Sequence, residues 1–191
     1  MKRDLLRRDF FSSFLSCEKD AETILRRLFV ESKPYSDALK RLLIINTKDC
    51  LDEDVQEYSD IISKYDLKRL VDEEYVKLQP KIKLPEHEEK KGYILLAFDN
   101  FTQSKNPQFR DCTISFDIIC HTDNWDIGDY RQRPLKIAGC IDAILNGCKL
   151  SGIGILNFLG CSELILSPDL SGYTLLYEAV HGSDDIIPSK E

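Results

Sequence analysis

The segment Arg133–Asn146 constrains the fold more than any other part of the chain, because apolar, strand-like runs lie on both sides of it. Pro134 suits the first turn of a helix, and Gly147 suits the position just past its end. The apolar residues between them recur at helical spacing along one face: Ile137, Ala138, Ile141, Ile144 and Leu145. The pattern predicts an amphipathic helix that packs on one face of a small sheet.

The runs around this helix predict two strands before it and two after it. Thr113–Cys120 alternates between two faces, and Tyr93–Phe98 is a short apolar run before it. After the helix, Ile153 to Leu166 contains a long strand region in which Gly160 marks a bend or bulge, and Tyr173–Val180 is the last strand. We therefore predict an α+β fold, a small mixed or antiparallel sheet with one packed helix in a ββαββ core.

The character of the chain changes at one internal boundary. Residues 1–77 read as a helical N-terminal arm, although Leu42–Ile45 is either a strand or the end of a helix. Residues 78–91 carry two prolines and a charge-rich run, which predicts a linker or an extended arm. The α+β core then covers residues 92–182, and a polar tail covers residues 183–191.

Composition narrows the class of function. The net charge of −7 argues against a sequence-independent nucleic-acid binder, which needs a basic surface to displace counterions from phosphates. The seven cysteines are odd in number and scattered, so we expect reduced thiols that pack as small hydrophobic residues. No signal peptide and no membrane-spanning run is expected from the pattern of charges.

The histidines suggest one alternative, a small cytoplasmic metal-dependent enzyme. His121 follows the second predicted strand and His181 follows the last, so both would share one sheet edge beside Cys120 if those strands were neighbours. The spacing matches no established zinc pattern, and Cys120 and His121 point to opposite faces of a strand. With no nucleophile elbow and no Walker loop either, we expect no enzymatic activity and no cofactor.

The loop before the helix carries the other notable side chains. Arg131 and Arg133 flank the helix N-terminus, where the helix dipole is unfavourable for cations, so each is expected to have a carboxylate partner. That partner lies either in the same chain or in a neighbouring subunit. Trp125, in the same loop, is either a plug on the core or an interface anchor.

The block from Tyr93 to Gly182 resembles neck and tail-completion proteins of tailed bacteriophages, such as tail terminators and the ring proteins below the portal. The residues that carry this resemblance are Phe98-Asp99-Asn100-Phe101, Asn106-Pro107-Gln108-Phe109-Arg110, the run Ser115 to His121, the Trp125 loop, Arg133-Pro134 with its helix, Gly152-Ile153-Gly154, and Tyr177 to His181. The resemblance implies a head–tail connector of the virion, a homo-oligomeric ring that joins head or portal to tail and is not an enzyme. DNA would pass through its lumen without specific binding, which an acidic lumen would favour.

A ring of this kind predicts where subunits meet, because unpaired sheet edges and extended segments invite pairing with another chain. We expect the first helices to contact the adjoining portal and tail proteins. The residues expected at subunit contacts are Trp125, Arg131, Arg133, Leu42, Ile44 and Ile82.

Overall fold

The computed structural model describes residues 17–78, 90–103 and 110–181. The helices are α1 (Cys17–Arg26, continued by a π-helical turn over Arg27–Glu31), α2 (Tyr35–Ile44), α3 (Gln56–Ser63), α4 (Leu67–Asp72) and α5 (Arg133–Leu145). The strands are β1 (Val76–Lys77), β2 (Gly92–Gln103), β3 (Arg110–His121), β4 (Lys149–Leu150), β5 (Gly154–Ile155), β6 (Asn157–Ile165) and β7 (Leu170–His181).

Five strands form one mixed sheet in the order β1-β2-β3-β7-β6. The four long strands are antiparallel to their neighbours, whereas β1 pairs in parallel with the start of β2. Strands β4 and β5 form a separate two-stranded ribbon that follows α5. The predicted α+β class and the strand–strand–helix–strand–strand order are confirmed, with α5 connecting β3 to the second pair.

The predicted apolar stripe of α5 is the inner side of that helix. Ile137, Ile141 and Leu145 are completely buried, and they pack with inward-facing residues of β3 such as Ile114 and Phe116. The helix begins at Arg133 with proline in its first turn and ends at Leu145, two residues before Gly147, whose φ of +72° suits a residue without a side chain. The prediction for this helix is confirmed at both ends.

The N-terminal helices pack against the same core and not away from it. Leu28, Leu39 and Leu43 are fully buried and belong to one hydrophobic cluster with α5 and the sheet. The segment Leu42–Ile45 is the end of a helix, because α2 continues to Ile44 and only Ile45 becomes extended. The helical region therefore folds onto its own chain. Most of the predicted linker 78–91, with Ile82, and the tail 183–191 lie outside the described residues.

Two further features of the described chain bear on the predictions. Cys50, Cys112 and Cys120 are buried as expected, whereas Cys161 is exposed. None of the helices within residues 17–78, 90–103 and 110–181 is long and apolar enough to cross a bilayer.

Tyr177 joins the last strand to α5 and provides a test of this packing. Its hydroxyl donates to Asp142 Oδ1 at 3.0 Å, and its ring packs edge-on against Phe116 and Phe158. We expect Tyr177→Phe to lower the free energy of unfolding by about 1 kcal/mol, because a partly buried hydrogen bond to a carboxylate is lost. Urea denaturation measures this change. Tyr58→Phe, which removes a hydroxyl whose bonds to Asp49 and Thr47 are exposed to solvent, is the control with a smaller expected effect.

The same tyrosine makes the free energy of unfolding depend on pH in the alkaline range. Burial and the bond to Asp142 raise the pKa of Tyr177 above its ordinary value. A raised pKa means that the folded state holds the proton more tightly, so this contribution is present below pH ~10 and is lost as the pH rises beyond it. The loss should be smaller in Tyr177→Phe, and an equal loss in both proteins would contradict this assignment.

Candidate assembly surface

Arg133, the first residue of α5, is a buried cation that joins three parts of the chain: α5, the segment 42–47 and the turn at Asn124. Its side chain is only 1% exposed. The guanidinium donates to the backbone oxygens of Asn124 at 2.8 Å, Leu42 at 2.7 Å, Ile45 at 2.7 Å and Thr47 at 2.8 Å. Two of these oxygens lie at the C-terminal end of α2, where the helix dipole favours positive charge.

This geometry bears on three of the residues expected at the subunit interface, and the contact predicted for Ile44 stays a prediction. Arg133 is satisfied by main-chain oxygens of its own chain and not by a carboxylate, so it presents no charge at the surface. Leu42 is completely buried inside the subunit, and Ile44 is half-buried against the same core. Arg133 and Leu42 therefore stabilise the subunit from within, and neither is accessible to a neighbour.

Arg131 lies on an exposed loop, Asp126–Gln132, which we call the Tyr130 loop. Its guanidinium donates to Asp129 Oδ2 at 2.8 Å, so the expected carboxylate partner lies in the same chain. The loop is closed by backbone bonds from Ile127 N to Arg131 O at 3.1 Å and from Arg131 N to Gly128 O at 2.9 Å. The buried side chain of Ile127 fixes the loop to the core.

Tyr130 projects from the tip of this loop. Its side chain is fully exposed at 106% of the reference area, more than any other large apolar side chain in the described residues. Gly128, Asp129 and Tyr130 all have positive φ, at 79°, 48° and 60°. Left-handed backbone costs roughly 1–2 kcal/mol for a residue with a Cβ atom. The hydrogen bonds that close the loop must offset this cost at Asp129 and Tyr130, and the resulting conformation leaves the Tyr130 ring in solvent.

Trp125 anchors the base of the loop. Its ring is half-buried against the core, with its centroid 6.3 Å from that of Tyr173. The backbone oxygen of Trp125 accepts from Arg133 N at 2.7 Å, which ties the loop to the first turn of α5. Of the two alternatives for this tryptophan, the geometry supports the plug on the core. Subunit contact through Trp125 and Arg131 stays a prediction.

The histidine alternative is not supported by the strand order. Strands β3 and β7 are neighbours, but they are antiparallel, so His121 lies opposite Leu170 and His181 lies opposite Arg110. The two histidines are therefore at opposite ends of the sheet, roughly 35 Å apart. The prediction of a shared edge was wrong, because it placed the ends of both strands on the same side.

Cys120 and His121 also have other roles. Burial raises the pKa of the Cys120 thiol to about 12, which disfavours the thiolate that binds metals. His121 Nδ1 accepts from the backbone N–H of Asp123 at 3.2 Å and caps the short turn that follows β3. Within the ranges that the structure describes, no three His, Cys, Asp or Glu side chains are grouped as metal ligands.

The outer edge of β6 forms a second exposed surface. This strand pairs with β7 on one side, and no strand among the described residues pairs with its other side. Its predicted bulge is confirmed by a register shift between Phe158 and Gly160. We call residues 155–166, which comprise β6 and the residues just before and after it, the β6 edge. Its large exposed apolar residues are Ile155, Phe158, Leu159, Ile165 and Leu166.

Sequence reasoning placed subunit contacts at the Tyr130 loop through Trp125 and Arg131, but it singled out neither Tyr130 nor the β6 edge. The apolar run that became β6 has the composition of a core strand, and nothing in its pattern distinguishes an edge from the centre of a sheet. The sequence provides only a weak indication that Tyr130 is exposed, because this aromatic residue follows the turn-forming pair Gly128-Asp129 in a polar loop. The two surfaces become visible only when the strand order and the loop conformation are known.

Comparison with known proteins places the chain in a family. No curated protein matches it. The sequence profile of the YomW family, which derives from an SPbeta-like prophage, matches residues 36–179 and so spans both the helical region and the sheet. The chain therefore belongs to the YomW family and is a phage-related protein.

Proposed function

We propose that this protein is a structural component of the virion neck, a homo-oligomeric ring that joins head or portal to tail and leaves a channel for DNA. The observation that carries the proposal is the Tyr130 loop. A phage-family protein with an aromatic side chain fully exposed at the tip of a hydrogen-bonded loop has a ready-made anchor for another subunit, since interface hot spots are enriched in tyrosine, tryptophan and arginine.

The mechanism of such a ring is mechanical and involves neither catalysis nor a cofactor. Tyr130 inserts into a different surface of the next subunit, and repeating this heterologous contact around an axis closes the ring. Arg131 and Trp125 support the contact indirectly, because the Arg131–Asp129 pair shapes the loop and Trp125 fixes its base. The two backbone bonds that close the loop restrict its conformations before association, which lowers the entropy cost of binding.

The remaining surface suits the other partners of a neck protein. Val30 and Tyr35 are exposed apolar residues of the N-terminal helices, and we propose that they contact the adjoining portal or tail protein. The net charge of −7 suits a lumen that DNA passes without binding. A lumen lined by lysine and arginine in the assembled ring would count against this part of the proposal.

The test replaces Tyr130 by alanine in phage particles that carry this protein. We expect normal folding by circular dichroism and thermal melting, because Tyr130 makes no buried contact in the subunit. We expect at least a tenfold loss of tailed, infectious particles, the effect of removing a hot-spot side chain. Negative-stain electron microscopy should show heads and tails that remain separate.

Tyr35→Ala is the matched control for the ring contact. Tyr35 is also an exposed tyrosine, at 48%, but it lies on α2 and not on the Tyr130 loop. Its loss should weaken binding to an adjoining protein and leave ring formation intact. Rings that form normally from Tyr130→Ala protein would refute the proposed contact.

A further inference from the structure

The connection between α5 and β6 contains Asn146-Gly147, the only Asn-Gly pair in the sequence. Both residues are exposed, and they directly follow Leu145, the last residue of α5. Gly147 has a φ of +72°, and apart from its chain neighbours no atom lies within 4 Å of the position that a Cβ atom would occupy. No side chain at position 147 therefore shields its backbone N from the side chain of Asn146.

We infer that Asn146 is a site of spontaneous deamidation, and that the attachment of β6 to the end of α5 controls the rate. In this reaction the backbone N of Gly147 attacks Cγ of Asn146 and forms a new C–N bond. The bond from Cγ to the side-chain nitrogen breaks, and that nitrogen leaves as ammonia with the proton that Gly147 N has lost. Water then opens the cyclic imide at either carbonyl carbon, which produces aspartate or isoaspartate at position 146.

Two hydrogen bonds oppose the reaction in the folded chain. The Gly147 N–H, which must lose its proton during the attack, donates to Leu156 O at 2.7 Å. The Asn146 Oδ1 accepts from Phe158 N at 3.3 Å, which restrains the side-chain amide. Phe158 belongs to β6, and Leu156, just before the strand, is completely buried. Attack therefore requires the start of β6 to separate from the end of α5, a local opening of the fold.

The ring of Phe158 stabilises the closed form. It packs edge-on against Tyr177, with the two centroids 5.8 Å apart, and the Tyr177 hydroxyl binds Asp142 of α5. The other end of β6 lacks such a link, because the side chain of Ile165 is 76% exposed. Loss of the Phe158 ring should therefore raise the population of the open form, whereas loss of the Ile165 side chain should not.

Either product weakens the attachment that the reaction had to open. A carboxylate at position 146 places negative charge at the C-terminal end of α5, where the helix dipole disfavours it, four residues after Asp142. Isoaspartate also inserts one carbon atom, about 1.5 Å of main chain, between the Cα atom of residue 146 and Gly147 N. The bonds from Asn146 N to Asp142 O and from Gly147 N to Leu156 O then no longer fit together.

Peptide mapping by mass spectrometry tests the inference in the purified full-length protein, kept at mildly alkaline pH with or without enough urea to unfold it. We expect Asn146 to deamidate at least about tenfold more slowly in the folded protein than in urea. Phe158→Ala should accelerate the reaction in the folded protein about threefold or more, the effect of losing an aromatic pair. Ile165→Ala is the matched control at the other end of β6 and should leave the rate unchanged.

Hydrogen exchange of the aged protein tests the consequence. Amides of residues 154–158 should exchange at least about tenfold faster in the isoaspartate fraction than in unmodified protein, whereas amides of β2 should not change. Asn146→Gln, aged equally long, should show neither deamidation nor faster exchange. Equal rates in folded and unfolded protein, no effect of Phe158→Ala, equal acceleration by Ile165→Ala, or unchanged exchange at the start of β6 would overturn the inference. None of these measurements depends on ring formation, so this inference and the proposed function fail independently.

Discussion

Replacing Arg133 by methionine is expected to lower the free energy of unfolding by about 4 kcal/mol or more. Methionine keeps the apolar stem but removes the donor of four backbone oxygens, three in buried bonds and that of Thr47 in a partly buried one, and each orphaned buried group costs about 1–3 kcal/mol. The loss should also detach the end of α2 from α5, since both Leu42 and Ile45 bind this one side chain. Urea denaturation monitored by circular dichroism measures the change.

Two further variants make the Arg133 prediction specific. Arg133→Lys keeps the charge but not the planar fork, so it should restore only part of the lost stability. Arg131→Met is the matched control two residues away, because it removes only a surface ion pair worth at most about 1 kcal/mol. Equal losses for Arg133→Met and Arg131→Met would show that the buried network does not hold the helices together.

Replacing Ile141 by aspartate is expected to unfold the chain. Ile141 is completely buried in the middle of α5, where an aspartate either keeps its charge in an apolar core or must take up a proton. The expected cost exceeds about 4 kcal/mol, which is a large share of the stability of an ordinary domain. Loss of the cooperative thermal transition and of dispersed amide signals in NMR spectra would demonstrate the effect.

The same helix offers the control for this substitution. Ala143 lies two residues further along α5, but its side chain is exposed. Ala143→Asp introduces the same charge into the same helix and should cost less than about 1 kcal/mol, mostly through helix propensity. A folded Ile141→Asp protein, or equal damage from both variants, would contradict the role of α5 as the central brace of the sheet.

Sequence patterns within one element were enough to predict the helix α5 and the long strands. The stripe through Ile137, Ile141 and Leu145 predicted the buried face of α5, and Pro134 and Gly147 predicted its ends, because helix geometry and capping depend on neighbouring residues. The four long strands and the bulge at Gly160 were also predictable from alternation and from a break in it.

Long-range relationships were not predictable in the same way. Two acceptors of Arg133, the backbone oxygens of Leu42 and Ile45 at the end of α2, lie 91 and 88 residues earlier in the chain. No local pattern reveals them, so the dipole at the start of α5 was the basis for expecting a carboxylate partner. The antiparallel register of β3 and β7 sends His121 and His181 to opposite ends of the sheet, which no spacing in the sequence reveals. Strand β7, the last in the chain, lies inside the sheet, and this leaves the apolar strand β6 at its edge.

The central claim is that this phage-family protein is a ring in the virion neck, and cryo-electron microscopy of intact particles tests it most directly. Particles should be imaged with the protein unlabelled and with a compact tag fused to it, so that the difference density locates each copy. The account predicts a closed ring of tag density at the head–tail junction, coaxial with the DNA channel, with the Tyr130 loop at the contact between subunits. Tag density elsewhere in the particle, or particles that lack the protein altogether, would contradict it.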